Sequence, residues 1–145
     1  MKALKLSNQI CFPLYALSRQ ITALYRPYLE EVGLTYPQYL VMMVLWEREE
    51  VTVKQLGELL WLDSGTLTPL LKRMEEHGWV KRNRCAEDER VVNISLTQQG
   101  KDLEQKAGTI PYAMQCKLDI GDEQLATLRL QLQNLLAKTS EKQVL

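Results

Sequence analysis

Apolar residues recur at helical spacing through most of this chain, and the pattern changes character only between residues 51 and 96. There Leu56, Leu59 and Leu60 fall three and four apart behind Thr52, whose hydroxyl suits a helix N-cap. A turn at Leu62-Asp63-Ser64-Gly65 follows. A second stripe, Leu67, Leu70, Leu71 and Met74, stops at His77-Gly78, where glycine can take a left-handed cap. Val80 to Arg84 and Val91 to Leu96 are short runs with β-branched residues around a charged loop, which predicts a hairpin. Helix, turn, helix and hairpin is the order of a winged helix-turn-helix, an arrangement that places its second helix in the major groove of DNA.

The flanking segments read as helices. Ser7 or Asn8 can cap a first helix reaching about Val32, with Ile10, Leu14, Leu17, Ile21, Leu24 and Leu29 as its apolar positions. Pro13 and Pro27 interrupt it. Proline is tolerated only near a helix start, so the start is expected at Pro13 itself. Gly33 ends this helix, and Pro37 suits the first position of the next, which runs to about Arg48 and is apolar nearly all round, hence buried. Beyond the hairpin, Thr97-Gln98-Gln99-Gly100 opens a helix that Gly108 and Pro111 break or kink. After a turn at Gly121-Asp122 a last helix, about 123–138, carries Leu125, Leu128, Leu132, Leu135 and Leu136. The apolar stripes at the two ends exceed what one winged domain needs for its core. The sequence therefore predicts a single domain, mainly α with a small β-hairpin wing. Residues of about 36–97 would bind DNA, and about 1–35 and 98–145 would join two copies into the homodimer that palindromic DNA requires.

Composition narrows the class without deciding it. The chain has 145 residues, 46% hydrophobic and 25% charged, as an ordinary globular protein has. A formal net charge of +0 argues against a coating, non-specific nucleic-acid binder. Locally the balance differs: Lys72, Arg73, Lys81, Arg82 and Arg84 face only Glu75 and Glu76 within the same stretch. No apolar run is long enough for a bilayer and no cleavable signal pattern is visible, so a cytosolic location and no membrane partner are expected. The three cysteines, Cys11, Cys85 and Cys116, are an odd number in a reducing compartment and direct attention to a reactive thiol. His77 beside Gly78 reads as a helix-end residue. With one histidine and scattered cysteines no metal site and no cofactor are expected, and no phosphate loop or hydrolase constellation is visible.

Three segments resemble the MarR family of dimeric winged-helix regulators: Leu62-Asp63-Ser64-Gly65-Thr66-Leu67-Thr68-Pro69-Leu70-Leu71-Lys72-Arg73-Met74-Glu75, Asp88-Glu89-Arg90, and Leu96-Thr97-Gln98-Gln99-Gly100. Asn8-Gln9-Ile10-Cys11-Phe12, Tyr15, Tyr25 and Leu34-Thr35-Tyr36-Pro37-Gln38-Tyr39-Leu40 further resemble its organic-hydroperoxide-sensing members, the OhrR type. Sequence rules alone would start the recognition helix at Thr68-Pro69; the resemblance starts it near Asp63 or Ser64. It further implies that Ser64, Thr66 and Thr68 face the groove, that Lys72, Arg73 and Arg84 meet DNA, and that Arg90, steadied by Asp88, enters the minor groove.

For the thiols, spacing alone favours Cys11 as a small buried core residue. A place at a helix N-terminus would instead favour the thiolate that attacks peroxides. The resemblance implies that Cys11 is the peroxide sensor. It also implies that Tyr25 and Tyr36 of the other subunit hydrogen-bond its sulfur with Tyr15 nearby, and that Cys116 of the partner is the resolving thiol of a two-cysteine switch. Cys116 merely on a helix face stays an alternative, and Cys85 near the wing tip reads as incidental. The expected function is a repressor that holds a palindromic operator when reduced and leaves it when organic hydroperoxide oxidises Cys11. Its rivals are a regulator controlled by a bound small aromatic acid and, from another class, a thiol peroxidase. The peroxidase would need a thioredoxin-like sheet that the few strand runs do not supply.

Overall fold

The computed structural model describes residues 4–141. After a short 3-10 turn at Leu6–Asn8, helix α1 spans Cys11–Val32. It starts two residues before Pro13, not at it. Pro13 is thereby its third residue, where a backbone N–H would have no helical partner, and the proline costs nothing. Pro27 lies inside the helix, and the carbonyl it leaves unbonded, that of Ala23, is on the exposed side. Gly33, at φ 75°, closes α1 with its own N–H on Glu30 and the Leu34 N–H on the Leu29 carbonyl.

Helix α2 (Tyr36–Arg48) opens with a reciprocal cap in which the Thr35 N–H donates to Gln38 Oε1 at 2.8 Å. Pro37 is therefore its second residue rather than its first. Tyr39, Val41, Met42 and Leu45 are buried, but Met43 is 38% exposed, so the helix is not covered all round.

Strand β1 (Glu50–Thr52) then leads into α3 (Val53–Leu60), capped as expected by Thr52, whose hydroxyl accepts the Gln55 N–H. Helix α4 covers Ser64–Glu76, with Asp63 as its N-cap. Local rules that would begin it at Thr68-Pro69 are overruled. Pro69 sits in the second turn, and Gly65, whose carbonyl it cannot bond, is exposed and so open to water. His77 caps the C-terminus and stacks on Trp79, ring centroids 4.5 Å apart.

The wing consists of β2 (Val80–Arg84) and β3 (Val92–Leu96), paired antiparallel from Val80 with Leu96 to Arg84 with Val92. β1 adds to the other side of β3, giving the order β1-β3-β2. The core lies where Leu56 of α3, Leu67, Leu71 and Met74 of α4, Leu45 of α2 and Ile94 of β3 converge, all essentially without exposure.

Helix α5 (Gln98–Ala107) packs unusually close: a Cβ added to Gly100 would lie 2.1 Å from the Trp79 carbonyl oxygen. Gly108 separates α5 from α6 (Ile110–Leu118), the break expected there. The chain up to Ile110 forms one compact unit and the chain from Pro111 a second. The second holds most of α6 and all of α7 (Asp122–Glu141), with Gln115 hydrogen-bonded to Asp122. Along α7, Leu125 and Leu128 are half-buried, while Leu130, Leu132, Leu135 and Leu136 are exposed.

Candidate DNA interface and thiol sensor

Helix periodicity sets what α4 presents. With Leu67, Leu71 and Met74 inward, about 100° per residue turns Gly65, Pro69, Lys72, Arg73 and Glu76 outward, with Thr66 and Thr68 on the flanks. All of these, and Ser64, are exposed. The Asp63 carboxylate accepts the Thr66 N–H at 2.8 Å and the Thr66 hydroxyl at 3.1 Å. These bonds, the backbone one foremost, hold its pKa below the ordinary 3.8, so the cap is charged at neutral pH. The Thr68 hydroxyl donates to the Ser64 carbonyl at 2.7 Å. Both threonine hydroxyl protons are thus turned toward the protein, and their oxygens remain as acceptors for a base-edge amino group.

Arg82 behaves differently from the other basic residues of this stretch. Its Nε and Nη2 both lie 2.7 Å from Glu75 Oε2, and its backbone N–H donates to Glu75 Oε1 at 3.1 Å. The fork ties α4 to β2 and holds the Glu75 carboxyl below its ordinary value, chiefly through the Arg82 side-chain bond. Arg82 therefore adds little to the positive surface, whereas Arg84 stays exposed. At the wing tip Asp88 Oδ1 accepts the Arg90 N–H at 3.0 Å and lies 3.7 Å from Arg90 Nε, while the Arg90 side chain is 94% exposed. A groove of about 750 Å³ runs between α3, α4 and the wing, and Thr68, Arg84 and Arg90 share its lining. Lys54 of α3 shares it too. Sequence reasoning missed that residue, because its place opposite the wing comes only from the fold.

Cys11 and the tyrosines named with it lie on α1 and the start of α2. Cys11 is the first residue of α1 and is exposed, not buried. Tyr15, one turn on, is also exposed, and its hydroxyl accepts from Arg19 at 3.3 Å. Tyr25 and Tyr36 come together, ring centroids 5.0 Å apart, and the buried Tyr39 packs behind them, 6.0 Å from Tyr25. Burial raises the pKa of Tyr25, Tyr36 and Tyr39 above 10.0, so at neutral pH these phenols are protonated donors. Cys11 and Tyr25 are separated by fourteen residues of helix, about 21 Å of rise. Within one protomer Cys11 and the tyrosine pair cannot touch.

Cys116, on α6, is exposed, and Cys85 is half-buried where the wing loop leaves β2. Among the described residues no group of three His, Cys, Asp or Glu side chains is placed to hold a metal ion. No helix of the described residues is long and apolar enough to cross a membrane.

A capped helix α4, a two-stranded wing with an arginine at its tip, and exposed thiols on flanking helices fit a winged-helix transcriptional regulator. The sequence profile described as "Transcriptional regulator SarA/Rot" matches residues 23–107. The Bacillus subtilis "Organic hydroperoxide resistance transcriptional regulator" is 50% identical over 139 residues, 96% of this chain and 95% of that protein. AbfR of Staphylococcus epidermidis is similar in three solved states. Reduced and bound to DNA, it superposes with a TM-score of 0.79 at 34% identity, over 95% of this chain and 96% of that one. Over-oxidised and bound to DNA, it gives 0.77 at 37%, over 95% and 97%. With its disulfide formed it gives 0.63 at 37%, over 93% and 95%. The chain belongs to the MarR-like SarA/Rot family of winged-helix transcriptional regulators and is similar to the organic hydroperoxide resistance regulator among them. It is a redox-responsive, DNA-binding regulator.

Proposed function

We propose that this chain forms a homodimer that represses transcription by holding a palindromic operator while Cys11 is reduced, and that organic hydroperoxide releases it. The observation that carries the sensor is the spacing on α1. Cys11 is exposed at one end, and the protonated Tyr25–Tyr36 pair lies about 21 Å along. A second copy running antiparallel would set its pair against this cysteine, with Tyr15 one turn away. The exposed Ile10, Phe12, Tyr15, Leu17 and Leu24 supply apolar surface for that pairing, and the exposed leucines of α7 add more. On this reading the terminal helices assemble the dimer and the segment of about 36–97 binds DNA. The two α4 helices occupy successive major grooves through Ser64, Thr66 and Thr68. Lys72, Arg73 and Arg84 meet phosphates, and Asp88 steadies Arg90 at the minor groove.

The chemistry takes two steps. The Cys11 thiolate attacks the outer oxygen of the hydroperoxide, the O–O bond breaks, and an alcohol leaves with Cys11 as a sulfenic acid. The partner's Cys116 thiolate then attacks that sulfur, expels the oxygen as water, and closes an intersubunit disulfide. AbfR is recorded on DNA both reduced and over-oxidised, and separately with its disulfide formed. That pattern favours the disulfide, rather than oxygen on sulfur, as the releasing event. A regulator controlled by a bound aromatic acid is the second reading, favoured by a pocket of about 340 Å³ between α1 and the start of α2 that Arg26, Leu29 and Tyr36 help to line. The test is a gel shift on a duplex selected with the reduced protein, before and after cumene hydroperoxide. Cys11→Ser should bind as wild type does and stay bound after peroxide; peroxide-driven release of this variant rejects the assignment of Cys11.

A further inference from the structure

A continuous series of contacts leads from the tyrosine pair to the far end of the recognition helix, and it passes through a side chain with no role so far. Tyr36 packs on Tyr25, Tyr25 on Tyr39, and Tyr39 edge-on against Trp46, centroids 5.0, 6.0 and 6.2 Å apart. The Trp46 indole N–H donates to the Gly100 carbonyl at 3.0 Å. Gly100 lies in the first turn of α5, held by its N–H on Thr97 Oγ1 at 3.0 Å. That turn is locked to the junction of α4 and the wing. Thr97 Oγ1 lies 2.5 Å from the Gly78 carbonyl oxygen and 3.1 Å from that of Trp79, and the Thr97 N–H donates to the Trp79 carbonyl at 3.1 Å. Gly100 admits no side chain against Trp79, so the two backbones are in direct contact. Gly78 follows the His77 cap of α4, and Val80 begins β2. A displacement of the α5 first turn must therefore carry the end of the recognition helix and the root of the wing with it.

We propose that Trp46 is the positioning residue of the redox switch: its N–H bond to Gly100 passes the state of the tyrosine pair to α4 and the wing. The inference rests on the function proposed above. When Cys11 of the partner engages or leaves Tyr25 and Tyr36, their rings shift, Tyr39 follows because it is fully packed, and the edge contact moves the indole. Trp46 bonds to Gly100 and packs on Tyr39, and it is not among the residues that line the groove between α3, α4 and the wing. Its removal should break the coupling between the two sites while sparing the events at each.

The experiment compares wild type, Trp46→Phe and Tyr39→Leu. Phenylalanine keeps a ring but deletes the donor, and Tyr39→Leu breaks the ring contact while leaving the indole. Each folded protein is titrated against a duplex selected with reduced wild type, before and after one equivalent of cumene hydroperoxide. The Cys11–Cys116 cross-link is read on a non-reducing gel. In both variants, reduced affinity should stay within about twofold of wild type and the cross-link should form. The ratio of oxidised to reduced Kd should fall about tenfold or more, a readout that general destabilisation would not move selectively.

A nitrogen-15 spectrum of wild type, with the Trp46 indole signal assigned by its absence from Trp46→Phe or by selective labelling, should show that signal shifting on oxidation. A folded variant with the full wild-type ratio, or an indole signal unchanged by oxidation, overturns the proposal. Failure of wild type to leave the duplex at all would instead reject the function on which it rests.

Discussion

Replacing Gly100 by alanine sets two physical effects against each other, and the structure decides between them. Alanine is the better helix former, by about 1 kcal/mol in a helix interior. The added methyl, however, would lie 2.1 Å from the Trp79 carbonyl oxygen and 3.1 Å from both the Trp79 carbonyl carbon and Leu96 Cδ2. The first of these is a backbone atom and cannot rotate away. Relief requires α5 to retreat from the strand root by about an ångström, which loosens the Thr97 bonds to Gly78 and Trp79 at roughly 1 kcal/mol each and opens the adjoining core. The net expectation is a loss of about 2–4 kcal/mol.

Gly108 supplies the control. Its φ is −59°, and an added Cβ would meet its nearest neighbours at 3.5 and 3.6 Å, ordinary contact. Gly108→Ala should therefore be neutral or stabilise by about 0.4–1 kcal/mol through the unfolded chain. Urea unfolding of both variants at one fixed protein concentration measures the difference, since an oligomer's stability depends on concentration. A Gly100→Ala protein within about 1 kcal/mol of wild type, or a Gly108→Ala protein that loses more, would refute the close-packing argument.

Further outcomes follow from the switch and the interface. After one equivalent of organic hydroperoxide without added thiol, mass spectrometry should find Cys11 linked to Cys116 between chains. In Cys116→Ser that link should be absent, Cys11 over-oxidised and the operator still bound; a cross-link through Cys85 would contradict the two-cysteine mechanism. Arg90→Ala should weaken operator binding and lower the slope of log affinity against log salt by about one, whereas an unchanged slope would leave the wing tip in solvent. Ser64→Ala or Thr66→Ala should alter base preference more than that slope, as selection on randomised duplexes would show.

Glu75 predicts a pH dependence. Its folded pKa is depressed, so the Arg82 fork contributes fully above the ordinary value of 4.5, and the contribution is lost as pH falls through the lower folded value. The pair is about one-third exposed, so about 1 kcal/mol is at stake after solvent screening. Wild type should accordingly lose more melting temperature than Glu75→Gln as pH is lowered below 4.5, and parallel curves would count against the fork.

Local chemistry made most of the architecture readable. Thr52, Thr97 and Gly33 mark helix ends by hydrogen bonds made within a few residues, so their roles follow from sequence. β1 was missed for the opposite reason: three residues hold no periodicity, and the strand exists only because β3, some forty residues later, pairs with it. The start of α4 is a middle case. Pro69 argues locally for a later start, and the Asp63 cap together with burial of Leu67 outweighs it. The candidate thiol and DNA residues were visible as types and motifs. The engagement of Arg82 by Glu75, the place of Lys54 in the groove and the packing of Tyr39 and Trp46 were not, since each depends on which helix lies beside which strand.

The length of α1 has a consequence for dose. On the reading proposed above, the tyrosine donors to the Cys11 thiolate come from another copy, because its own tyrosine pair lies most of a helix away. An isolated protomer would then lack those donors and react more slowly with hydroperoxide, and full reactivity of the sulfur would be a property of the assembled pair. Peroxide sensitivity would rise with protein concentration across the dimerisation range and level off above it. A cell holding few copies would respond sluggishly even to abundant oxidant, so abundance as well as chemistry would set the alarm threshold.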